Sequence, residues 1–349
     1  MRPVLKPALR CLWRDASTLQ LGVDPRRAVM LTGLGGDTVK VLDILDGTRD
    51  STAVIAAARA RGVPEATARH LLDLLSRAGV LDDATTGARP PKSLDSEELE
   101  RLRPDLASIC LDCADTKAGM QILARRRSAY VRVYGAGRVG ASLASLLAAA
   151  GVGRVQVNDP GWVRGADLAP AGYTEADVGE RREEAAPGVL RRTAPRTATS
   201  PGDRVPDLAV LAPPGPADPA LTGNLVRDGI AHLFVGVRET VGVVGPLVLP
   251  GRSSCLRCQE LHRRDRDPAW PRILAQLCSP HRAVEACDIV LATAVAAHGA
   301  LQALTYLEDR SGTPPTVDGT LEMALPDWRW RRRSWPRHPG CGCGWDNTV

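Results

Sequence analysis

Three short runs with strand character open the chain: LRCLWRD, TLQLGV and AVMLTG, with DASTL and DPRR supplying turns between them. The hydrophobic spacing then lengthens. In DTVKVLDILDG the apolar positions Val39, Leu42, Ile44 and Leu45 recur at helical intervals, and Gly47 ends the run. Ser51 is placed to cap a second helix, STAVIAAARARG, which Gly62 closes. Pro64 begins a third, PEATARHLLDLLSRAG, with Leu71, Leu72, Leu75 and Ala78 toward one side. Three strands followed by three helices predict a small winged-helix-like α+β domain over residues 1–84. Residues 84 to about 98, ATTGARPPKSLDSEE, hold too little apolar surface to fold alone and read as a linker. SEELERL then opens a helix with an acidic first turn, so 85–127 are read as linker and helical connector.

From Tyr130 the pattern becomes α/β. YVRVY is a strand, GAGRVG follows at once, and RVGASLASLLAAAG is a helix. RVQVND, DLAVLAP and HLFVGV are further strands. A long apolar helix is predicted from about Ala283 to Glu308. TPPTVDGTLEMALPDWRWRRRSW is strand-like, with Trp328 and Trp330 on one face and arginines on the other. Residues 128–349 are thus expected to form a Rossmann-like α/β domain.

Composition narrows the class. Of 349 residues 44% are hydrophobic and 24% charged, which excludes a mostly disordered chain. Aromatics make up 3%, with Phe234 the single phenylalanine, so aliphatic side chains must fill the core. A net charge of +5 is small for this length, and the helix EATARHLLDLLSR lacks a basic run, so no nucleic-acid partner is expected. The RRR of residues 125–127 is expected on a solvated face. No secretory-type segment opens the sequence, and the apolar stretch Ile289 to Leu304 is shorter than a bilayer span; the expectation is a cytoplasmic protein without a membrane partner. Nine cysteines then read as thiols or metal ligands, not disulfides.

Two constellations carry candidate chemistry. Gly135, Gly137 and Gly140 form G-x-G-x-x-G between a strand and a helix, where bare backbone N–H groups can approach a phosphate. Asp159 ends the next strand, 19 residues after Gly140, where a carboxylate can meet a ribose hydroxyl. Cys255 and Cys258 in CLRC, with Cys341 and Cys343 in CGCG, can supply four thiolates to one tetrahedral Zn²⁺; four protein ligands leave no open position, so the metal is expected to be structural. Cys110 and Cys113 have no partner pair and read as buried or incidental thiols. Cys11, Cys278 and Cys287 read as small core hydrophobes. His262, His281, His298 and His338 are scattered; His338 adjoins the CGC pair.

GAGRVGASLASLLAAAGVGRVQVND, the CLRC pair, the long helix near residue 290 and VDGTLEMALPDWRWRRRSWPRHPGCGCG stand in the order found in the ThiF/MoeB group, the bacterial relatives of ubiquitin-activating enzymes. The resemblance covers residues 128 to 345. The first block resembles a PqqD-like leader-peptide recognition module in element order and in LDILDGTRD. Together they resemble the ThiF-like partner proteins of azoline-forming cyclodehydratases in ribosomal peptide natural-product pathways. The resemblance implies that a leader peptide adds as a strand along Arg27, Ala28, Val29, Met30 and Leu31 and packs on the helix Glu65–Arg77, where His70 and Asp73 stand. It further implies a homodimer whose partners are a precursor peptide and a separate YcaO-type ATP-dependent cyclodehydratase.

ThiF/MoeB enzymes adenylate a C-terminal carboxylate with ATP and Mg²⁺, and this chain departs from their pattern. Asp159 remains, but Gly161 stands where the family has a second acid. Asp167, Leu168, Ala169 and Pro170 align with Asn-Leu-x-Arg, so the arginine is a proline. Arg182 in VGERR replaces a lysine, and the strand that should lead to a metal-binding Asp leads to Pro213 and Pro214. Losing one preorganised charge costs about 10² to 10³ in rate. The resemblance therefore implies a retained fold, a vestigial nucleotide site at Gly135, Gly137, Gly140, Asp159 and Arg182, no catalytic residue, and no working ATP/Mg²⁺. The alternatives are an ATP-dependent adenylating or sulfur-transfer enzyme and, in a different class, a DNA-binding regulator.

Overall fold

The chain begins with a strand that its hydrophobic pattern did not reveal, β1 (Pro3–Leu5), before the three that it did: β2 (Cys11–Trp13), β3 (Leu19–Leu21) and β4 (Val29–Leu31). The computed structural model describes residues 1–86, 94–113, 115–279, 286–310 and 312–343. It divides into two compact units, Met1–Ala124 and Arg125–Val349, so most of the segment read as a connector falls within the first. Residues 87–93 of the expected linker, and His281, lie outside the described residues.

In the first unit, β2, β3 and β4 form an antiparallel sheet in that order, while β1 pairs with β5 (Leu81–Asp83). Helices α1 (Gly36–Leu42), α2 (Ser51–Ala60) and α3 (Glu65–Arg77) pack beneath them. Asp50, not Ser51, caps α2: its carboxylate accepts from the Ala53 N–H at 2.8 Å, and a carboxylate at the cap position also favours the positive end of the helix. Leu71, Leu72 and Leu75 of α3 bury beside Leu31, Val41 and Val54. Ala78 is exposed, just past the end of the helix. Helices α4 (Ser96–Arg101), α5 (Arg103–Leu111) and α6 (Thr116–Ser128) follow, and Leu94, Leu102, Met120 and Leu123 form a separate small cluster.

The second unit is built on a seven-stranded sheet. β6 (Tyr130–Tyr134) leads through α7 (Arg138–Ala149) to β7 (Arg154–Asn158), then α8 (Arg182–Thr193), β8 (Leu208–Leu211), α9 (Pro219–Arg227) and β9 (His232–Arg238). β7, β6, β8 and β9 lie parallel in that order, joined by crossovers through helices, as parallel neighbours require. β10 (Val241–Val248) turns back antiparallel; its run VGVVGPLV escaped sequence reading because two glycines and a proline interrupt it. Helices α10 (Leu256–Arg266), α11 (Trp270–Leu277) and α12 (Ile289–Leu307) precede β11 (Gly319–Met323) and β12 (Trp330–Ser334), which complete the sheet as a hairpin.

Helices α7, α8 and α12 cover one face over an aliphatic core that includes Val131, Val133, Leu143, Leu147, Leu233 and Val295. Gly299 lets α12 approach closely: a Cβ there would stand 2.8 Å from Val235 Cγ1 and 2.9 Å from Leu143 Cδ1. Among the described residues α12 alone is long and apolar enough to cross a membrane. In the fold it is a core helix, with His298 stacked on Trp330 at 4.3 Å. On the other face Leu225 and Leu221 of α9 and Leu256 of α10 meet Phe234 and Val243.

Several expectations are corrected. Arg126 is not on a solvated face. It is buried, ion-paired to buried Glu308, and donates to the Ala150 carbonyl at 3.1 Å. Trp328 lies outside β12 with φ +52° and is exposed, so it does not share a strand face with Trp330. Cys11 and Cys278 are exposed rather than core residues, while Cys287 is half-buried against the main core.

Candidate functional site

The turn from β6 into α7 sets the three loop glycines to different tasks. Gly135 has φ +89°, and a Cβ there would sit 2.4 Å from the Ala212 carbonyl oxygen. A Cβ on Gly140 would sit 2.0 Å from the Gly135 carbonyl oxygen. Strand-to-helix packing alone demands these two. Gly137, the N-cap of α7, is different: a Cβ there would meet only Asp167 Oδ1, at 3.6 Å, so the protein itself leaves this position open.

Asp159 follows β7 and closes onto that loop. Its Oδ2 accepts from the Ala136 N–H at 2.7 Å and from Arg182 Nη1 at 3.0 Å; its Oδ1 accepts from the Gly161 N–H at 2.8 Å. Arg182 Nη2 donates to both carboxylate oxygens of Asp167 at 2.8 Å. Burial draws the Arg182 guanidinium pKa down, but the hydrogen bonds and charges of Asp167 and Asp159 outweigh it and hold it above its ordinary value. Tyr173 donates to the Arg182 carbonyl at 2.9 Å, and burial pushes its phenol well up. A Cβ on Gly161 would lie 2.9 Å from Asp159 Oδ1 and 3.3 Å from Arg182 Nη1. The glycine that replaces the family's second acid therefore gives room to the clamp that Arg182 makes. Asp167 was noticed in sequence only as part of an aligned tetrapeptide; its pairing with Arg182 across 15 residues depends on the fold.

Mg²⁺-ATP is the group this fold implies, and the donor set does not fit it. Two carboxylates and one guanidinium, already paired, leave one net negative charge where a triphosphate would need cations. β8 ends into Ala212, Pro213 and Pro214, and the next acid, Asp218, caps α9 by accepting from the Ala220 N–H at 2.9 Å. Pro170 is exposed and offers no side-chain donor. Two buried polar atoms near this crevice, Arg182 Nε and Asn158 Oδ1, have no hydrogen-bond partner.

The four cysteines read as metal ligands converge from residues more than 80 positions apart. Cys255 caps α10, Cys258 lies in its first turn, and Cys341 and Cys343 come from the segment after β12. Their Sγ atoms all lie within 4.8 Å of one another; Cys255–Cys341 and Cys258–Cys343 are 3.4 Å apart and Cys255–Cys258 3.8 Å. Four sulfurs about 2.3 Å from a central zinc are separated by about 3.8 Å, so the cluster suits a tetrahedral metal. The Cys255 thiol donates to Cys258, which holds the Cys258 thiol below its ordinary value, while that bond and burial push Cys255 up. His338, 10% exposed, accepts at Nδ1 from the Gly340 N–H at 3.0 Å and donates from Nε2 to Asp265 at 2.7 Å. It thereby pins the turn that carries Cys341. Cys110 is buried and Cys113 half-buried, and both belong to the first unit.

In the first unit β4 is an edge strand, paired on one side with β3 through Leu19–Leu31, Gln20–Met30 and Leu21–Val29. Leu31 is buried, Val29 half-buried and Met30 59% exposed. Arg27 and Ala28 belong to the preceding turn, where both N–H groups donate to the Asp24 carbonyl, and the Arg27 guanidinium pairs with Asp112. His70 and Asp73 lie with Glu65, Ala66 and Arg69 along the exposed face of α3. The fold joins β4 to α3 through the buried Leu31 and Leu71, not through these exposed side chains.

A glycine loop, an acid after the second strand and a split four-cysteine cluster on this sheet define a ThiF/MoeB-like domain. The ThiF family model matches residues 113–201. The bovine adenylyltransferase and sulfurtransferase MOCS3 is 30% identical over 277 residues, which cover 74% of this chain and 56% of that protein; the chain thus spans about half the length of this relative. The Escherichia coli microcin C7 biosynthetic enzyme MccB, solved with ATP and with N-formylated MccA, shares the fold over 98% of this chain and 99% of its own, with TM-score 0.71 and 16% identity. PaaA covers 95% of this chain and 99% of its own, with TM-score 0.70 and 16% identity.

Proposed function

We propose that this chain is a leader-peptide-binding scaffold in a ribosomal-peptide pathway, a ThiF/MoeB-like fold whose own adenylation activity is lost. The first unit captures the precursor peptide along the open edge of β4, with α3 offering side-chain contacts, and the protein presents it to a separate YcaO-type cyclodehydratase. The second unit serves as a docking body, as a homodimer in the cytoplasm, with Zn²⁺ in a purely structural role on Cys255, Cys258, Cys341 and Cys343. The observation that carries this reading is the Asp159–Arg182–Asp167 clamp beside Ala212, Pro213 and Pro214: the charges that would handle a triphosphate and its metal are absent or already paired. The likeness in fold to MccB, a microcin biosynthetic enzyme solved with MccA, supports the pathway class.

The test is saturable binding of a synthetic leader peptide to the full chain. Met30→Pro, which blocks strand addition at the edge, and the paired change His70→Ala, Asp73→Ala should each weaken it about tenfold or more with the fold retained by circular dichroism. Unaltered binding in both would remove the edge-and-helix reading.

A second reading is favoured by the orphaned Arg182 Nε and Asn158 Oδ1, which a bound ligand would satisfy: an adenylating enzyme using a rearranged site. ATP–pyrophosphate exchange with the precursor peptide separates the two, since a scaffold exchanges no label.

A further inference from the structure

The face of the large sheet opposite α7 and α12 holds a cavity of about 580 Å³, within the range of small-molecule sites. His232, Phe234 and Val243 form its floor, and Leu256, Trp270 and Leu274 stand on its walls. No residue of the glycine loop or of the Asp159–Arg182–Asp167 clamp lines it.

Its polarity is specific. Arg238 and Arg257 line it and are exposed, and their guanidinium groups make no ion pair or hydrogen bond with any described residue. Among the described residues that line it the carboxylate is Glu260, already held by Arg263 at 2.8 Å and by the indole N–H of Trp270; Cys255, Cys341 and Cys343 of the four-cysteine cluster border the cavity as well. Two unpaired guanidinium groups therefore border an apolar space, an arrangement that attracts an anion attached to a hydrophobic body.

The floor adds a second demand. His232 is fully buried; its Nδ1 donates to the Ile230 carbonyl at 3.0 Å, and burial keeps the ring neutral, so Nε2 is an acceptor. That Nε2 has no partner, and neither has the buried amide nitrogen of Gln259, a donor. One unmatched acceptor and one unmatched donor are what a single amide group satisfies.

We propose that this cavity binds a small N-acyl carboxylate: an acyl or aryl body over Phe234 and Val243, an amide matching His232 Nε2 and Gln259 Nε2, and a carboxylate held by Arg238 and Arg257. The site lies within the second unit and does not depend on the leader-peptide reading.

The probe is N-octanoylglycine, titrated calorimetrically into the full-length, zinc-loaded protein. Saturable binding is expected. The double variant Arg238→Ala, Arg257→Ala should weaken it about tenfold or more, as should replacing the ligand carboxylate by an amide in N-octanoylglycinamide. Decanoate, which has the carboxylate but no amide, should also bind more weakly. Gly223→Trp should abolish binding: Gly223 lines the cavity, a Cβ there meets nothing within 4 Å, and the indole would take up space that the ligand needs. Unchanged melting temperatures confirm that these variants fold, and leader-peptide binding should be untouched by Gly223→Trp. The proposal is overturned if N-octanoylglycine does not saturate, if either variant binds it as the parent does, or if the glycinamide or decanoate binds equally well. It is likewise overturned if Gly223→Trp instead disrupts self-association, which would assign the cavity to a second copy of the chain.

Discussion

At the scale of single residues, the three loop glycines show how one motif hides unequal constraints. Gly140→Ala forces a methyl to 2.0 Å from the Gly135 carbonyl oxygen, so the backbone must move; a loss of about 2 to 3 kcal/mol is expected in urea denaturation. Gly137→Ala meets only a contact of 3.6 Å and should cost less than about 1 kcal/mol. Equal costs would show that the loop is not held by the packing described. Arg126 makes a comparable point about charge. Replacing it by Met strands the buried Glu308 carboxylate with Arg310 alone, and about 3 kcal/mol should be lost; the double change Arg126→Met, Glu308→Leu should recover much of it. In sequence Arg126 was one of three adjacent arginines, and nothing in composition distinguishes the buried one.

At the scale of elements, the four-cysteine cluster ties the start of α10 to the segment following β12. Metal binding there requires thiolates and a folded partner segment, so its free energy becomes folding free energy. A strong chelator should lower the melting temperature and release about one zinc per chain, and Cys341→Ser should reproduce the lowered temperature and abolish further response to the chelator. The spacing of the cysteine pairs announced this site in sequence, because two ligands within one turn of chain leave a local signature. The clamp across the nucleotide crevice had no such signature. Asp159 and Arg182 could each be placed by alignment, yet only the return of α8 beside β7 joins them to Asp167. Secondary structure follows the same division. The strands YVRVY and RVQVND were legible because buried valines alternate with more polar positions along them, whereas β1, β5 and β10 are too short or too interrupted to show a period, and long-range pairing creates them.

At the scale of the whole molecule, stability should respond to pH through His232. Burial lowers its pKa in the folded protein below the roughly 6.5 of an exposed histidine. The unfolded chain then binds more protons in acid, so this group's contribution is complete above about pH 6.5 and is lost as the pH falls through that value toward the depressed folded pKa. Denaturation midpoints measured from pH 7.5 to 5 should fall, and less steeply in His232→Gln; parallel profiles would mean that His232 is not the group responsible. By itself the sequence determined the fold class, the order of the glycine loop and its acid, and the identity of the four convergent cysteines. Each of those rests on hydrophobic period or close spacing along the chain, which a linear text records. Only the tertiary structure decided which charges neutralise one another, which arginine is buried, and where a cavity with unpaired polar atoms is left, because each depends on groups far apart in sequence being brought within a few ångströms.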